Sequence, residues 1–247
     1  MLQFVRDGKP VRTLTLAELR ANVPAETVSG YDPYYARAKT FRALPLARVV
    51  ALGFEGQPGE LRAEEYVLRA KDGYAVPMRG ALVFEPGGYV AFADAEVPGW
   101  EPIGPQRASP APFYVVWGKP EQASLDTHPR PWALVTVEMA RFETVFPHTS
   151  PGDLPEDAPA RRGYAIFRNR CIECHAMNRE GGRVGPDLNV PQNVTEYRPE
   201  PQIRAYIRDP RTFRYGNMPP HPDLGDAELD ALVAYLRAMK DRKHDAP

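Results

Sequence analysis

Cys171-Ile172-Glu173-Cys174-His175 places two thiols and an imidazole on one short stretch of chain. Four uses of such a pair of thiols compete. A redox-active dithiol needs a thioredoxin-like setting of strand and helix, and structural zinc needs two further ligands nearby; the flanking sequence offers neither. A disulfide framework is excluded because the chain has 2 cysteines in all. C-x-x-C-H is the attachment signature of c-type haem. On one helical turn each thiol can add to a haem vinyl group, and the next residue sets an imidazole beneath the iron. The expectation is one covalently attached haem c, held through Cys171 and Cys174 with His175 as the proximal ligand.

The elements that must position these groups are helical, with helices expected over 160–169, 201–208 and 226–240. Residues 163–239 resemble class I cytochrome c along their whole length. Gly163 and Phe167 lie on the helix before the motif, where that family packs its first helix against its last, and Leu232, Tyr235 and Leu236 offer the matching apolar stripe. Gly185-Pro186-Asp187-Leu188 resembles the family's loop after the motif. The resemblance implies that the Pro186 carbonyl accepts the Nδ1 proton of His175, fixing its tautomer and raising its basicity toward iron. Asn217-Met218-Pro219-Pro220 resembles the distal-ligand loop and implies Met218 as the sixth ligand, closing the iron to outside ligands and raising its potential. The prolines stiffen that loop. Met177 is too close to the motif to cross a haem, Met239 falls on the last helix as core, and His221 is the alternative ligand. Tyr197, Arg204 and Tyr206 are possible partners of a haem propionate, but each reads better as part of a solvated face.

Residues 1–147 have a different character, with β-branched and aromatic runs at 66–69, 89–92, 113–117 and 132–137 and turn signals at Asp7-Gly8 and Asp72-Gly73. The fold expected is a mixed-sheet α+β domain followed by an all-α domain over 160–247. Between them, residues 148–159 read as a semi-stiff linker rich in proline and acid. Tyr31-Asp32-Pro33-Tyr34-Tyr35, the stretch 41–46 and the stretch 67–75 with its Asp-Gly-Tyr turn resemble the molybdopterin-binding domain of the sulfite oxidase family, across residues 10–145. That family holds molybdenum through one cysteine thiolate, and no cysteine precedes Cys171. The resemblance therefore implies a scaffold without its metal, serving docking or ligand binding. His128 and His148, with Asp126, Glu138 and Glu143, show no paired ligand spacing and read as isolated surface groups. Trp100, Trp117 and Trp132 read as core or interface aromatics.

Lysine and arginine (31) nearly balance aspartate and glutamate (32), which leaves no broad basic face for nucleic acid or anionic lipid. No apolar stretch reaches the roughly 18 residues of a membrane span. The first residues lack the pattern of a signal peptide. Because haem c is attached outside the cytoplasm, a periplasmic protein whose leader or anchor has been removed is expected. The expected function is single-electron transfer between redox partner proteins, a dehydrogenase as donor and a cytochrome or terminal oxidase as acceptor. Two alternatives stand: an oxidoreductase whose first domain oxidises a small substrate such as a sulfur oxyanion, and a haem sensor whose Met218 yields to a gas.

Overall fold

The computed structural model describes residues 1–104, 107–214, 216 and 218–245. They form two compact units, Met1–Val145 and residue 146 onward.

The first unit begins with β1 (Leu2–Arg6), β2 (Lys9–Leu14), α1 (Leu16–Asn22), β3 (Glu26–Asp32), β4 (Arg37–Pro45) and α2 (Leu46–Phe54). Then come α3 (Pro58–Leu61), β5 (Glu65–Ala70), β6 (Ala75–Arg79), α4 (Gly80–Val83), β7 (Gly88–Asp94), β8 (Tyr114–Trp117), β9 (Leu134–Met139) and α5 (Phe142–Val145). Asp7-Gly8 closes the β1–β2 hairpin with both residues at positive φ, 48° and 76°, as a mirror-type two-residue turn requires. Thr15 and Glu18 cap α1 reciprocally, each side chain meeting the other's backbone N–H.

Five strands form one sheet in the order β2-β1-β9-β5-β6, with β1 and β9 parallel and the other pairs antiparallel. The other sheet, β3-β4-β7-β8, is antiparallel throughout. Phe4, Leu68 and Val137 from the first sheet meet Leu44, Val90, Val115 and Trp117 from the second and Val49 and Val50 of α2 in one apolar core. On β8 the side chains alternate. Val115 and Trp117 enter this core, whereas Tyr114 and Val116 join a second cluster with Phe41, Ala43, Trp100 and Trp132. The tryptophans are thus packing residues, as expected.

Buried charge was not foreseen. Lys39 on β4, 1% exposed, donates to Asp94 Oδ2 at 2.6 Å, Glu101 Oε2 at 2.9 Å and Glu96 Oε2 at 3.2 Å. Its ammonium also lies 5.0 Å from the centre of the Tyr35 ring.

The second unit holds α6 (Pro159–Arg170), the two-residue strands β10 (Ala176–Met177) and β11 (Glu180–Gly181), α7 (Val194–Tyr197), α8 (Glu200–Arg208) and α9 (Asp226–Lys240). Pro159 opens α6, where a missing N–H costs nothing. Asp226 and Glu228 in the first turn of α9 and Arg237 and Lys240 in its last complement the helix dipole. Gly163, Phe167, Leu232, Tyr235 and Leu236 are all buried where α6 crosses α9.

The stretch expected to be a semi-stiff linker, residues 148–159, differs in its first residues. Thr149 is fully buried and its carbonyl accepts the Tyr235 hydroxyl at 2.7 Å. His148 Nδ1 lies 2.5 Å from Glu180 Oε1, and its ring stacks on His244 with centroids 3.6 Å apart. The buried hydroxyl of Tyr235 needs an acceptor, and Thr149 supplies it, so this segment is part of the helical unit.

Candidate functional site

The motif sits where α6 unwinds. Cys171 N and Ile172 N both donate to Phe167 O at 2.9 Å, and the chain then makes one tight turn in which Cys174 N and His175 N donate to Cys171 O at 3.1 and 2.9 Å. Ile172 is fully buried and pins this turn to the core. The flanking Cys171, Cys174 and His175 remain half-buried. The two sulfurs are not joined to one another. Desolvation pushes the Cys171 thiol up to about 12, with Arg170 lowering and Glu173 raising it more weakly. A thiol so protonated is the opposite of an activated redox dithiol. Among the described residues no three His, Cys, Asp or Glu side chains gather as metal ligands.

After the motif the chain reverses in the β10–β11 hairpin, with Asn178 and Arg179 in the left-handed region at φ 59° and 66°. The following loop lies flat on the motif through Gly182 N to Ile172 O at 2.7 Å, Gly185 N to Cys174 O at 2.8 Å and Leu188 N to Ala176 O at 2.9 Å. A Cβ on Gly185 would stand 2.4 Å from His175 Cε1 and 2.7 Å from Nδ1, so only glycine lets the loop reach the ring.

That approach sets Pro186 O 2.8 Å from His175 Nδ1. A carbonyl only accepts, so Nδ1 carries the proton, and in the neutral ring Nε2 is left with a free lone pair. Desolvation holds the His175 pKa below the usual histidine range, although the Pro186 carbonyl and Asp187 oppose it. A neutral imidazole with a fixed tautomer, next to two thiols on the same turn, is the donor set that haem c requires.

Met218 is half-buried in the segment between α8 and α9, with Pro219 and Pro220 following. Asn217, named with it from the sequence, lies outside the described residues. Met177 and Met239 are both fully buried, and Met239 is a core side chain of α9 as expected. His221 N donates to Ile207 O at 3.1 Å. Arg204 pairs with Asp226 at 2.7 Å and with Asp230, Tyr206 accepts from Arg214 Nε at 2.9 Å, and Tyr197 is exposed. His128 Nε2 lies 3.3 Å from Glu85 Oε1, a carboxylate outside the group named with it from the sequence.

Two features escaped sequence reasoning. Asp187 accepts backbone N–H groups from Arg179, Asn189 and Val190. Asn178, Asn189 and Asn193, all buried, form a chain of amides. Asn189 Nδ2 donates to Asn178 Oδ1 and Asn193 Nδ2 to Asn189 Oδ1, each at 2.7 Å. The same three amide groups donate to Arg242 O, Met239 O and Leu236 O, backbone acceptors in the last turn of α9 and just beyond it. The Asx turn from Asp187 to Asn189 and the capping box from Asn193 to Glu196 had local signals in the sequence; the chain of amides had none.

Comparison with known proteins bears on the second unit. The cytochrome c family model matches residues 160–240. Cytochrome c oxidase subunit 2 of Alkalihalophilus pseudofirmus is 36% identical over 94 residues, covering 35% of this chain and 27% of that protein. Its counterpart from Bacillus subtilis is 29% identical over 119 residues, covering 42% and 31%. Lupanine 17-hydroxylase [cytochrome c] of a Pseudomonas is 33% identical over 103 residues, covering 38% and 14%. The chain thus spans less than a third of the length of each. Among the described residues no helix is long and apolar enough to cross a membrane. Residues 160–240 are a cytochrome c domain, which implies haem binding and electron transfer.

Proposed function

We propose that this chain is a mono-haem c-type cytochrome of the periplasm that passes single electrons between redox partner proteins. The observation that carries the reading is the 2.8 Å bond from His175 Nδ1 to Pro186 O beside two thiols on the same turn that are not joined in a disulfide. Cys171 and Cys174 would hold the haem through thioethers, His175 would be its proximal ligand and Met218 its distal one. Haem supplies a one-electron couple; the residues around it set its potential and exclude other ligands. The likeness to cytochrome c oxidase subunit 2 supports a terminal oxidase among the acceptors, with a dehydrogenase as donor. The mixed-sheet unit, read as a sulfite-oxidase-like scaffold without the metal-ligating cysteine, serves docking or ligand binding.

The test is expression with haem-attachment machinery and with molybdenum available. One haem iron per chain, retained on a denaturing gel and lost when Cys171 and Cys174 are both replaced by alanine, is the expected result. A second metal at similar stoichiometry would instead favour an enzyme acting on a small substrate such as a sulfur oxyanion.

Met218→Ala is expected to let the reduced protein bind carbon monoxide at neutral pH. Its potential should fall by a fraction of the roughly 0.8 V that axial ligation commands. An unchanged spectrum and potential would move the ligand elsewhere, with His221 the first to try.

A further inference from the structure

The bond between His175 and Pro186 is only as well defined as the loop that presents the carbonyl. Two backbone hydrogen bonds bracket Pro186, Gly185 N to Cys174 O at 2.8 Å and Leu188 N to Ala176 O at 2.9 Å, but both tie the loop to the motif turn itself. The wider constraint comes from the next side chain. Asp187 Oδ2 accepts Arg179 N at 2.6 Å, and Oδ1 accepts Asn189 N at 2.7 Å and Val190 N at 2.9 Å. One carboxylate therefore joins the tip of the β10–β11 hairpin to the far end of the loop, with Pro186 held between. Hydrogen bonds from backbone N–H to an ionised carboxylate are short and about twice as strong as neutral ones.

The clamp is anchored to a rigid element. Asn189, whose N–H bonds Asp187, is fully buried, and its amide donates to Asn178 Oδ1 at 2.7 Å and Met239 O at 2.8 Å. Both ends of the clamp thus lead to the C-terminal end of α9: Arg179 through its neighbour Asn178, which donates at 2.9 Å to the carbonyl of Arg242 just after the helix, and Asn189 through Met239 within it. No polar contact of Asp187 goes to the His175 ring, so any influence on the ring passes through Pro186 and the field of the charge.

We propose that Asp187 is a positioning residue for the proximal histidine: by bonding Arg179, Asn189 and Val190 it fixes the Pro186 carbonyl against His175 Nδ1 and so sets how strongly His175 donates to the haem iron. The proposal rests on the reading of His175 as proximal ligand. Loosening the clamp lengthens the Nδ1–H···O bond, makes His175 a poorer donor, and disfavours the oxidised iron, which raises the potential.

The test uses the haem-loaded full chain with Asp187→Ala and Asp187→Asn. Both remove the charge. Alanine removes all three acceptor contacts, whereas asparagine keeps one acceptor oxygen and nearly the same volume, and folds even where alanine does not. Two quantities are read: exchange of the His175 Nδ1 proton in the reduced protein by nitrogen-15 NMR, and the midpoint potential. Exchange is expected to speed up about tenfold or more in the alanine variant, the equivalent of one lost hydrogen bond, and by less in the asparagine variant. The potential should rise in the same order. Equal potentials in the two variants with wild-type exchange would reduce Asp187 to its charge and overturn the proposal. A wild-type chain that binds haem without an imidazole signature from His175 would overturn the site assignment and this proposal with it.

Discussion

Gly163→Ala is expected to destabilise the helical unit by about 3 kcal/mol, and Gly163→Val by more. A Cβ at residue 163 would stand 1.9 Å from Ala231 O, 2.5 Å from Ala231 C and 2.8 Å from Tyr235 Cβ. Two of those three atoms are backbone of α9, so no rotamer change relieves the clash, and α6 must move away from α9. The move would open the packing of Phe167 against Tyr235, whose rings lie 5.2 Å apart, and unsettle the Tyr235 hydroxyl that bonds Thr149 O. A domain of this size has a total stability of about 5–15 kcal/mol, so the valine variant gives up a large share of it. The measurement is urea unfolding followed by the Soret band. An alanine variant within about 1 kcal/mol of wild type would mean that the helices do not cross as closely as described.

Gly163 also shows what is readable in a sequence of this kind. The glycine, the C-x-x-C-H turn and the Gly-Pro loop are local patterns, each with a spacing that a single stretch of chain can display. Their structural counterparts are the close helix crossing and the 2.8 Å bond to Pro186. Of the strands of the first unit, β1, β2, β5, β7, β8 and β9 were legible for the same reason, since β-branched and aromatic runs and turn residues are short-range signals, whereas β3, β4 and β6 were not read as strands. The misreading came where meaning is long-range. Thr149 looks like linker among prolines, and only its carbonyl's role as acceptor for Tyr235, far along the chain, draws it into the unit. The three asparagines carry no periodicity; they matter because the carbonyls of Leu236, Met239 and Arg242, far along the chain, accept from them. Lys39 is the extreme case. A lysine on a strand reads as solvent-facing. Its burial depends on the β4–β7 register, in which Phe41 pairs with Asp94, and on a loop that returns Glu96 and Glu101 to the same spot.

Lys39→Met is accordingly expected to destabilise the mixed-sheet unit by about 3–5 kcal/mol, although methionine fills nearly the same volume. The side chains of Lys39 and Asp94 are both fully buried, and removing the ammonium leaves the carboxylate of Asp94 without its counter-charge in a place water does not reach. Burial opposes the charge on Lys39, yet the bonds to Asp94, Glu101 and Glu96 more than offset it and hold its pKa above the ordinary 10.5. Its contribution is therefore complete below the unfolded lysine value and fades as pH rises through the higher folded one. Glu96 behaves in the reverse sense. Chiefly through the hydrogen bond from Arg37, and also from Lys39, its pKa is drawn from 4.5 to about 2, so its contribution is present above the unfolded value and is lost as pH falls toward 2. Wild-type stability from this cluster should be level between about 4.5 and 10.5 and should decline on both sides. All three tryptophans belong to this unit, so their fluorescence in a urea titration reports its unfolding. The double variant Lys39→Met with Asp94→Leu removes both charges and should recover most of the loss, since an apolar pair of similar volume is no worse than a buried ion pair. A single variant as stable as wild type would mean that Asp94 reaches water or another cation in solution. A double variant as weak as the single one would assign the loss to packing around Tyr35 and Phe41, over whose rings the ammonium lies at 5.0 and 5.8 Å.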